Sequence, residues 1–360
     1  MRWIIVVGLI VLGFGVPAAA APPHDVMVEL TVRGDRIEGA PLAWDTQEVV
    51  LLGRDGRLWR FPPEEARDFR KTSDRFQGYS SSELRAMLLR ELGDAYEVSG
   101  TGHYMVAHPR GGRDDWAQRF EDLYRSFYRY FSVRGLRIEE PRFLLIGVVC
   151  RDRADYVRQA SRDGGPVAPG TLGYYSQRTN RILLYDLAGG DAKSPRGQEN
   201  AATVIHEATH QMAFNTGLHS RYVPPPRWLA EGLATVFEAA FLSEAPADGP
   251  RRGRANLARL EQFRKLVAPR HRSELLTEAI ATDRLFQANP GWAYAQAWAL
   301  SFWLIETQPR QYAEYLARVA ARPPFEDYPA AQRLADFAMV FGDNWRMLEA
   351  RLLRFVEELE

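Results

Sequence analysis

His206, Glu207 and His210 stand together in the stretch His206-Glu207-Ala208-Thr209-His210. Two histidines four positions apart on a helix project from one face, so their imidazoles can converge on a single ion. Neutral imidazole suits borderline-soft zinc, which it binds at ~2.0–2.1 Å. Glu207 is offset along the helix and need not ligate. It can instead accept a proton from an attacking water, whose pKa a bound metal brings toward ~7. Val204, Ile205, Ala208, Met212 and Ala213 make the surroundings apolar, as a buried central helix requires. The pattern predicts a helix from about Asn200 to Thr216, stopped by Gly217.

A catalytic zinc needs a third protein ligand and an open position for water. Glu231 is the candidate, inside Trp228-Leu229-Ala230-Glu231-Gly232-Leu233-Ala234. A carboxylate among such residues is costly to bury unless something pairs with it, and zinc would do so. Gly217 and Pro224-Pro225-Pro226 let a second helix, Trp228 to about Leu242, fold back against the first. The competing reading of Glu231 is an ordinary exposed glutamate. His219, in the intervening loop, is the rival third ligand. The longer pattern H-E-x-x-H-x-x-G-x-x-H is not met, because Ala213 stands at its glycine and Thr216 at its last histidine.

His206–His210 followed by Trp228–Ala234 resembles the gluzincin metallopeptidases, and the second segment is similar to the third-ligand helix of M1 aminopeptidases and of peptidase MA-like proteins. The overall likeness is to the bacterial DUF1570 group, which shares Trp-Leu-x-Glu-Gly-Leu-Ala and a later Tyr-Ala-Gln-Ala-Trp-Ala-Leu run, here Tyr294–Leu300. This likeness spans roughly Gly173–Leu304 and leaves the N-terminal part uncovered. It implies a zincin fold: a mixed sheet whose edge strand flanks the active-site helix, then a helical subdomain. Arg181–Leu187 is then the edge-strand candidate, able to pair with an extended peptide. Carried over position by position, His206, His210 and Glu231 match zinc ligands and Glu207 the general base. Tyr294 matches a tyrosine that hydrogen-bonds the tetrahedral oxyanion, a suitable donor because a phenol stays protonated at neutral pH. Plain helix packing is the other reading of Tyr294. Glu238 is either a second acceptor behind a histidine or a surface residue, with the surface reading favoured. The amine-anchoring Gly-x-Met-Glu-Asn motif of M1 aminopeptidases has no counterpart upstream of His206, so aminopeptidase activity is not supported.

The elements that must position these residues follow from patterning. Val26–Phe61 is rich in β-branched residues, and Asp55-Gly56 predicts a hairpin of Val49–Leu52 with Leu58–Phe61. Ser80–Leu92 reads as a helix capped by Ser81 or Ser82. Asp114–Phe131 has a 3.6-residue apolar period and predicts a long amphipathic helix. Tyr104–Ala107 and Phe143–Val149 are strand candidates, Ala154–Ala160 a helix, and Thr171–Tyr175 with Arg181–Leu187 a hairpin. Gly189–Gln198 reads as a polar loop and Ala245–Arg254 as a linker. From Ala255 onward nearly everything reads helical. The predicted fold is α+β and zincin-like, with a signal at 1–20, a small β module at 21–75, an α+β segment at 76–254 and a helical subdomain at 255–360.

The 360 residues are 46% hydrophobic and 26% charged, which is globular composition. Lysines and arginines equal aspartates and glutamates in number, so the generic electrostatic case for nucleic acid is absent. Arg251, Arg252 and Arg254 lie among Pro and Gly and read as a solvated loop. Cys150 is the sole cysteine. It excludes an intramolecular disulfide and reads as a small buried hydrophobe. Residues 1–20 form a secretory signal pattern: Arg2, the uncharged apolar run Trp3–Val16, then small residues at Ala18–Ala21. That run is short for a spanning helix, so no stable membrane span is expected after cleavage and the protein is expected to be secreted or periplasmic. The expected function is that of an exported zinc metallopeptidase acting on peptide or protein substrates. Its rival is a non-catalytic or structural-zinc binding protein on a zincin scaffold in the cell envelope. An intact Glu207 argues against the rival, since structural zinc sites are usually closed by four protein ligands.

Overall fold

The computed structural model describes residues 26–111, 115–185, 195–242, 250–267 and 275–359. The signal at 1–20 lies outside the described residues, as do 189–194 of the predicted loop, the end of the predicted strand at 186–187 and half of the predicted linker, 245–249. Five strands open the described chain: β1 (Met27–Val32), β2 (Asp35–Trp44), β3 (Val49–Gly53), β4 (Leu58–Phe61) and β5 (Ala66–Ser73). They form one antiparallel sheet in the order β4-β3-β2-β1-β5. The hairpin expected around Asp55-Gly56 is β3–β4, with Leu52 opposite Leu58. The patterning did not predict β5. It is an edge strand with no buried residue, so its charged sequence lacks alternation.

The second sheet surrounds the central strand β8 and contains β6 (Tyr96–Gly100), β7 (Tyr104–Pro109), β8 (Leu145–Cys150), β9 (Gly173–Ser176) and β10 (Arg181–Tyr185), in the order β6-β7-β8-β10-β9. β7, β8 and β10 run parallel, and both outer strands are antiparallel to their neighbours. All six residues of β8 are buried, as expected for a central strand covered on both faces. One face carries Ile146, Val148 and Cys150 and packs on α1 (Ser81–Leu92) and α3 (Arg153–Asp163). The other carries Leu145 and Val149 and joins the main core with α2 (Trp116–Ser132). Cys150 is 1% exposed, and burial pushes its thiol up to about 12. The N-cap of α1 is Ser80 rather than Ser81 or Ser82. Its side chain accepts from the Glu83 N–H while Glu83 accepts from the Ser80 N–H, a closed capping box.

The remaining chain is helical. α4 (Pro195–Asn215) begins earlier than about Asn200, and α5 (Arg227–Leu242) follows it. Then come α6 (Leu257–Gln262) with a π-helical turn at 263–267, α7 (Leu275–Ala281), α8 (Leu285–Ala288), α9 (Pro290–Thr307), α10 (Pro309–Ala320), α11 (Ala330–Phe341) and α12 (Trp345–Glu357). α9 is apolar all round and buried from Ala295 through Ile305, so it forms the axis on which the other helices pack. Arg254 departs from its expected place in a solvated loop. It is 5% exposed and hydrogen-bonds Glu306, which also accepts from Arg134 at 3.2 Å. Two guanidiniums around one carboxylate satisfy a buried charge that would otherwise be costly. Among the described residues no helix is long and apolar enough to cross a membrane.

Candidate metal centre

Gln211 fixes α4 against the second sheet. Its buried amide donates to the Ile146 carbonyl of β8 at 3.0 Å and to the Asn180 carbonyl at 2.7 Å. With that anchor, Ala208, Met212 and Ala213 face the core, while His206, Glu207, His210 and Phe214 face a cleft. α5 packs across α4 and turns Arg227, Ala230 and Glu231 toward the same cleft. Gly232 explains how α9 reaches it. A Cβ there would lie 2.4 Å from the Ala297 carbonyl oxygen and 2.2 Å from Ser301 Oγ, so only a residue without one admits this α5–α9 approach. α9 then brings Tyr294 to the cleft wall.

The three candidate ligating atoms form a near-equilateral triangle. His206 Nε2 is 3.2 Å from His210 Nε2 and 3.2 Å from Glu231 Oε2, and the remaining side is 3.4 Å. Ligands bonded tetrahedrally at ~2.0–2.1 Å stand about 3.3 Å apart. Two imidazole nitrogens and a carboxylate oxygen at these separations fit a zinc ion in donor type and spacing. Among the described residues, this is the group of histidine, cysteine and acidic side chains able to hold a metal. His219, the rival ligand, is outside it. It is buried, packs on Phe214 with ring centroids 5.3 Å apart, and burial pulls its imidazole down to about 3.

Electrostatics tie the group together without a metal. Burial pulls His206 down, but hydrogen bonds to Glu231 and Glu238 outweigh it and carry the imidazole up to about 10. Burial pushes Glu231 up, yet the neighbouring His210 and His206 hold it well below the usual carboxylate range. Glu207 behaves differently. Burial raises its carboxyl, against the pull of the two imidazoles and of the Tyr175 N–H. Tyr294 is raised to about 12, first by burial and then by the Glu231 charge, so it keeps its proton at neutral pH.

Two further contacts reach the candidate ligands and base, one of them the less favoured reading of its residue and the other unread in the sequence. Glu238, read as a surface residue, lies 3.3 Å from His206 Nδ1 and its side chain is only 18% exposed. It stands two helical turns beyond Glu231 on one face of α5, a spacing visible in the sequence. Tyr175 of β9 donates its backbone N–H to Glu207 Oε2 at 2.7 Å. A main-chain donor leaves no signal in residue identity. The edge-strand expectation is corrected here. β10, at Arg181–Tyr185, is flanked by β8 and β9, so β9 is the outer strand beside the cleft. The strand itself was read, as Thr171–Tyr175, and the hairpin is β9–β10; what patterning left open is which of the two lies outermost.

Residues 200–326 match a family model described as "Protein of unknown function (DUF1570)", a span that includes the HEATH stretch, Glu231 and Tyr294. No curated protein matches the chain. Similar solved structures include an M1 zinc metallopeptidase from Deinococcus radiodurans, at 14% identity, covering 73% of this chain and 51% of that one, with a TM-score of 0.35. A mutant M1 zinc metallopeptidase from the same organism, bound to a Tyr-Ser-Ala substrate, is 13% identical over 72% of this chain and 51% of that one, with a TM-score of 0.38. The chain therefore spans about half the length of these relatives.

Proposed function

We propose that this protein is an exported zinc-dependent metallohydrolase of gluzincin type, acting as a peptidase. The observation that carries this reading is the triangle of His206, His210 and Glu231 with Glu207 beside it in an open cleft. These three residues would hold the ion. When bound, zinc supplies Lewis acidity, polarising a carbonyl and lowering the pKa of a water. The chain supplies the rest. Glu238 accepts the Nδ1 proton of His206, which leaves Nε2 with a lone pair for ligation. Glu207 accepts the proton of the attacking water and passes it to the leaving nitrogen. Its raised carboxyl brings it nearer the pKa of a general base working near neutral pH. Tyr294, protonated and lining the same cleft, donates its O–H to the oxyanion that develops on the substrate.

In the zincin arrangement an extended peptide pairs with an edge strand, and β9 is the strand that can serve. Its Tyr175 N–H faces the cleft rather than β10, as alternation along an antiparallel strand requires. Export rests on the residue types at 1–20. The test is cleavage of a diverse peptide mixture by zinc-loaded protein, read by mass spectrometry. Absence of any cut at stoichiometric zinc would remove the peptidase reading.

A further inference from the structure

One turn of the N-terminal sheet meets the β9–β10 turn beside the candidate site. Residues 53–58, between β3 and β4, abut the 176–181 turn between β9 and β10. The Leu58 N–H donates to the Arg178 carbonyl at 2.7 Å, which continues main-chain hydrogen bonding from one sheet into the other's turn. Asp55 pairs with Arg181 at 3.5 Å, both side chains 11% exposed, and Arg181 also holds Glu91 at 2.7 Å. Gly56 sits at the centre of the contact. A Cβ there would come 2.6 Å from the Phe143 ring and 2.8 Å from Asn180 Nδ2. Its φ of +82° is a further reason for glycine.

Asn180 relays this contact toward the cleft. It is buried and has a left-handed backbone, φ +59°, a conformation asparagine tolerates better than most residues. Its Oδ1 accepts from the Tyr175 hydroxyl at 2.8 Å and from Asn215 Nδ2 at 2.8 Å, while its Nδ2 donates to Asn215 Oδ1 at 3.1 Å. Tyr175 is therefore held at three points. Its hydroxyl is fixed by Asn180, its ring stacks on Phe214 at 5.8 Å, and its main-chain N–H meets Glu207. Asn215 and Phe214 both belong to α4, the helix that carries the candidate ligands.

We propose that Asn180 is a positioning residue for Glu207 and β9, and that the Asp55–Gly56 turn of the N-terminal sheet is its buttress. The sheet thereby has a role in the site, which it fills by fixing the strand to which substrate would pair. This inference rests on the proposed function for its consequence in catalysis, but its structural content is testable separately.

The experiment uses the full chain, zinc-loaded, as wild type and as Asn180→Gly, Asn180→Asp and Gly56→Ala. Asn180→Gly keeps the left-handed backbone accessible and removes only the side chain. Asn180→Asp keeps the acceptor for Tyr175 and Asn215 but loses the Nδ2 donor to Asn215 Oδ1. Hydrogen exchange is followed in segments 172–176 and 145–150, zinc affinity by competition with a chromogenic chelator, and KM on whichever peptides of a random mixture the wild type cleaves. In Asn180→Gly, loss of the side-chain bonds should speed exchange of 172–176 about tenfold. Segment 145–150 should be unchanged, zinc affinity within about twofold of wild type, and KM raised. Asn180→Asp, which keeps the Tyr175 acceptor but not the donor to Asn215, should fall between wild type and Asn180→Gly in exchange and KM, and Gly56→Ala should loosen 172–176 as Asn180→Gly does. Unchanged exchange of 172–176 in Asn180→Gly, or an equal rise in 145–150, would overturn the proposal, the second result meaning general destabilisation. Failure of wild type to cut any peptide would instead sink the peptidase reading, with the exchange and zinc measurements still deciding the positioning role.

Discussion

Glu238 Oε2 stands 3.3 Å from Nδ1 of His206, on the side of the imidazole away from His210 and Glu231. A carboxylate there fixes the tautomer that presents Nε2 to the triangle. Outer partners of this kind typically contribute 10–100-fold in metal affinity. Glu238→Gln should therefore weaken zinc binding by about tenfold and Glu238→Ala by more, measured by chelator competition, with secondary structure unchanged.

Gly232 adjoins Glu231 and faces α9 at less than side-chain distance. Gly232→Ala forces the two helices apart or strains their side chains, and overpacking of this kind costs about 1–3 kcal/mol. Urea unfolding should show that loss. Because α9 carries Tyr294, the same variant should lose more activity than zinc affinity.

Tyr294 reaches the cleft with its proton retained. Tyr294→Phe removes one donor and leaves the ring that packs on Phe286 at 5.4 Å. Loss of an oxyanion donor costs roughly 10²–10³ in kcat. The expected outcome is a fall of that order, with zinc stoichiometry and Tm near wild type. An unaltered kcat would return Tyr294 to a packing role.

Metal removal separates the proposed enzyme from a structural-zinc protein. The main core joins α2, α4, α5, α9 and the C-terminal helices through apolar side chains and does not depend on the triangle. Chelated protein should keep its helical circular dichroism. Zinc at about a thousandfold its Kd should add about 4 kcal/mol of stability by mass action. Unfolding on chelation would favour the structural-zinc reading.

The legible and illegible parts of this chain divide on physical grounds. His206 and His210 could be proposed as a pair because helical spacing places them on one face, with Glu207 offset beside them, and Glu231 because a carboxylate among apolar residues demands a partner. The strongly periodic α2 and the uniformly apolar β8 were readable for the same reason: burial imposes a pattern on residue type. β5 imposes none, being exposed along its length, and β6 was passed over as a short strand following a helix. The choice of edge strand failed because the more apolar strand, β10, owes that character to lying between β8 and β9. Arg254 was misplaced since Pro and Gly around it signal a loop, while its partner Glu306, shared with Arg134, lies far away in sequence. The contacts of Gly56 with Asn180 and of Tyr175 with Glu207 involve a missing side chain and a main-chain N–H, which only the folded arrangement displays.

The most direct measurement compares zinc-loaded wild type with Glu207→Gln on a diverse peptide mixture, with bound zinc quantified in both. Glutamine keeps the size of the side chain and removes its capacity to take a proton. One zinc per chain is expected in each protein, with cleavage by wild type and a loss of at least about a hundredfold in the variant, in line with typical general-base contributions. Equal cleavage by the two proteins would contradict Glu207 as the base, and no zinc in wild type would contradict the metal centre itself.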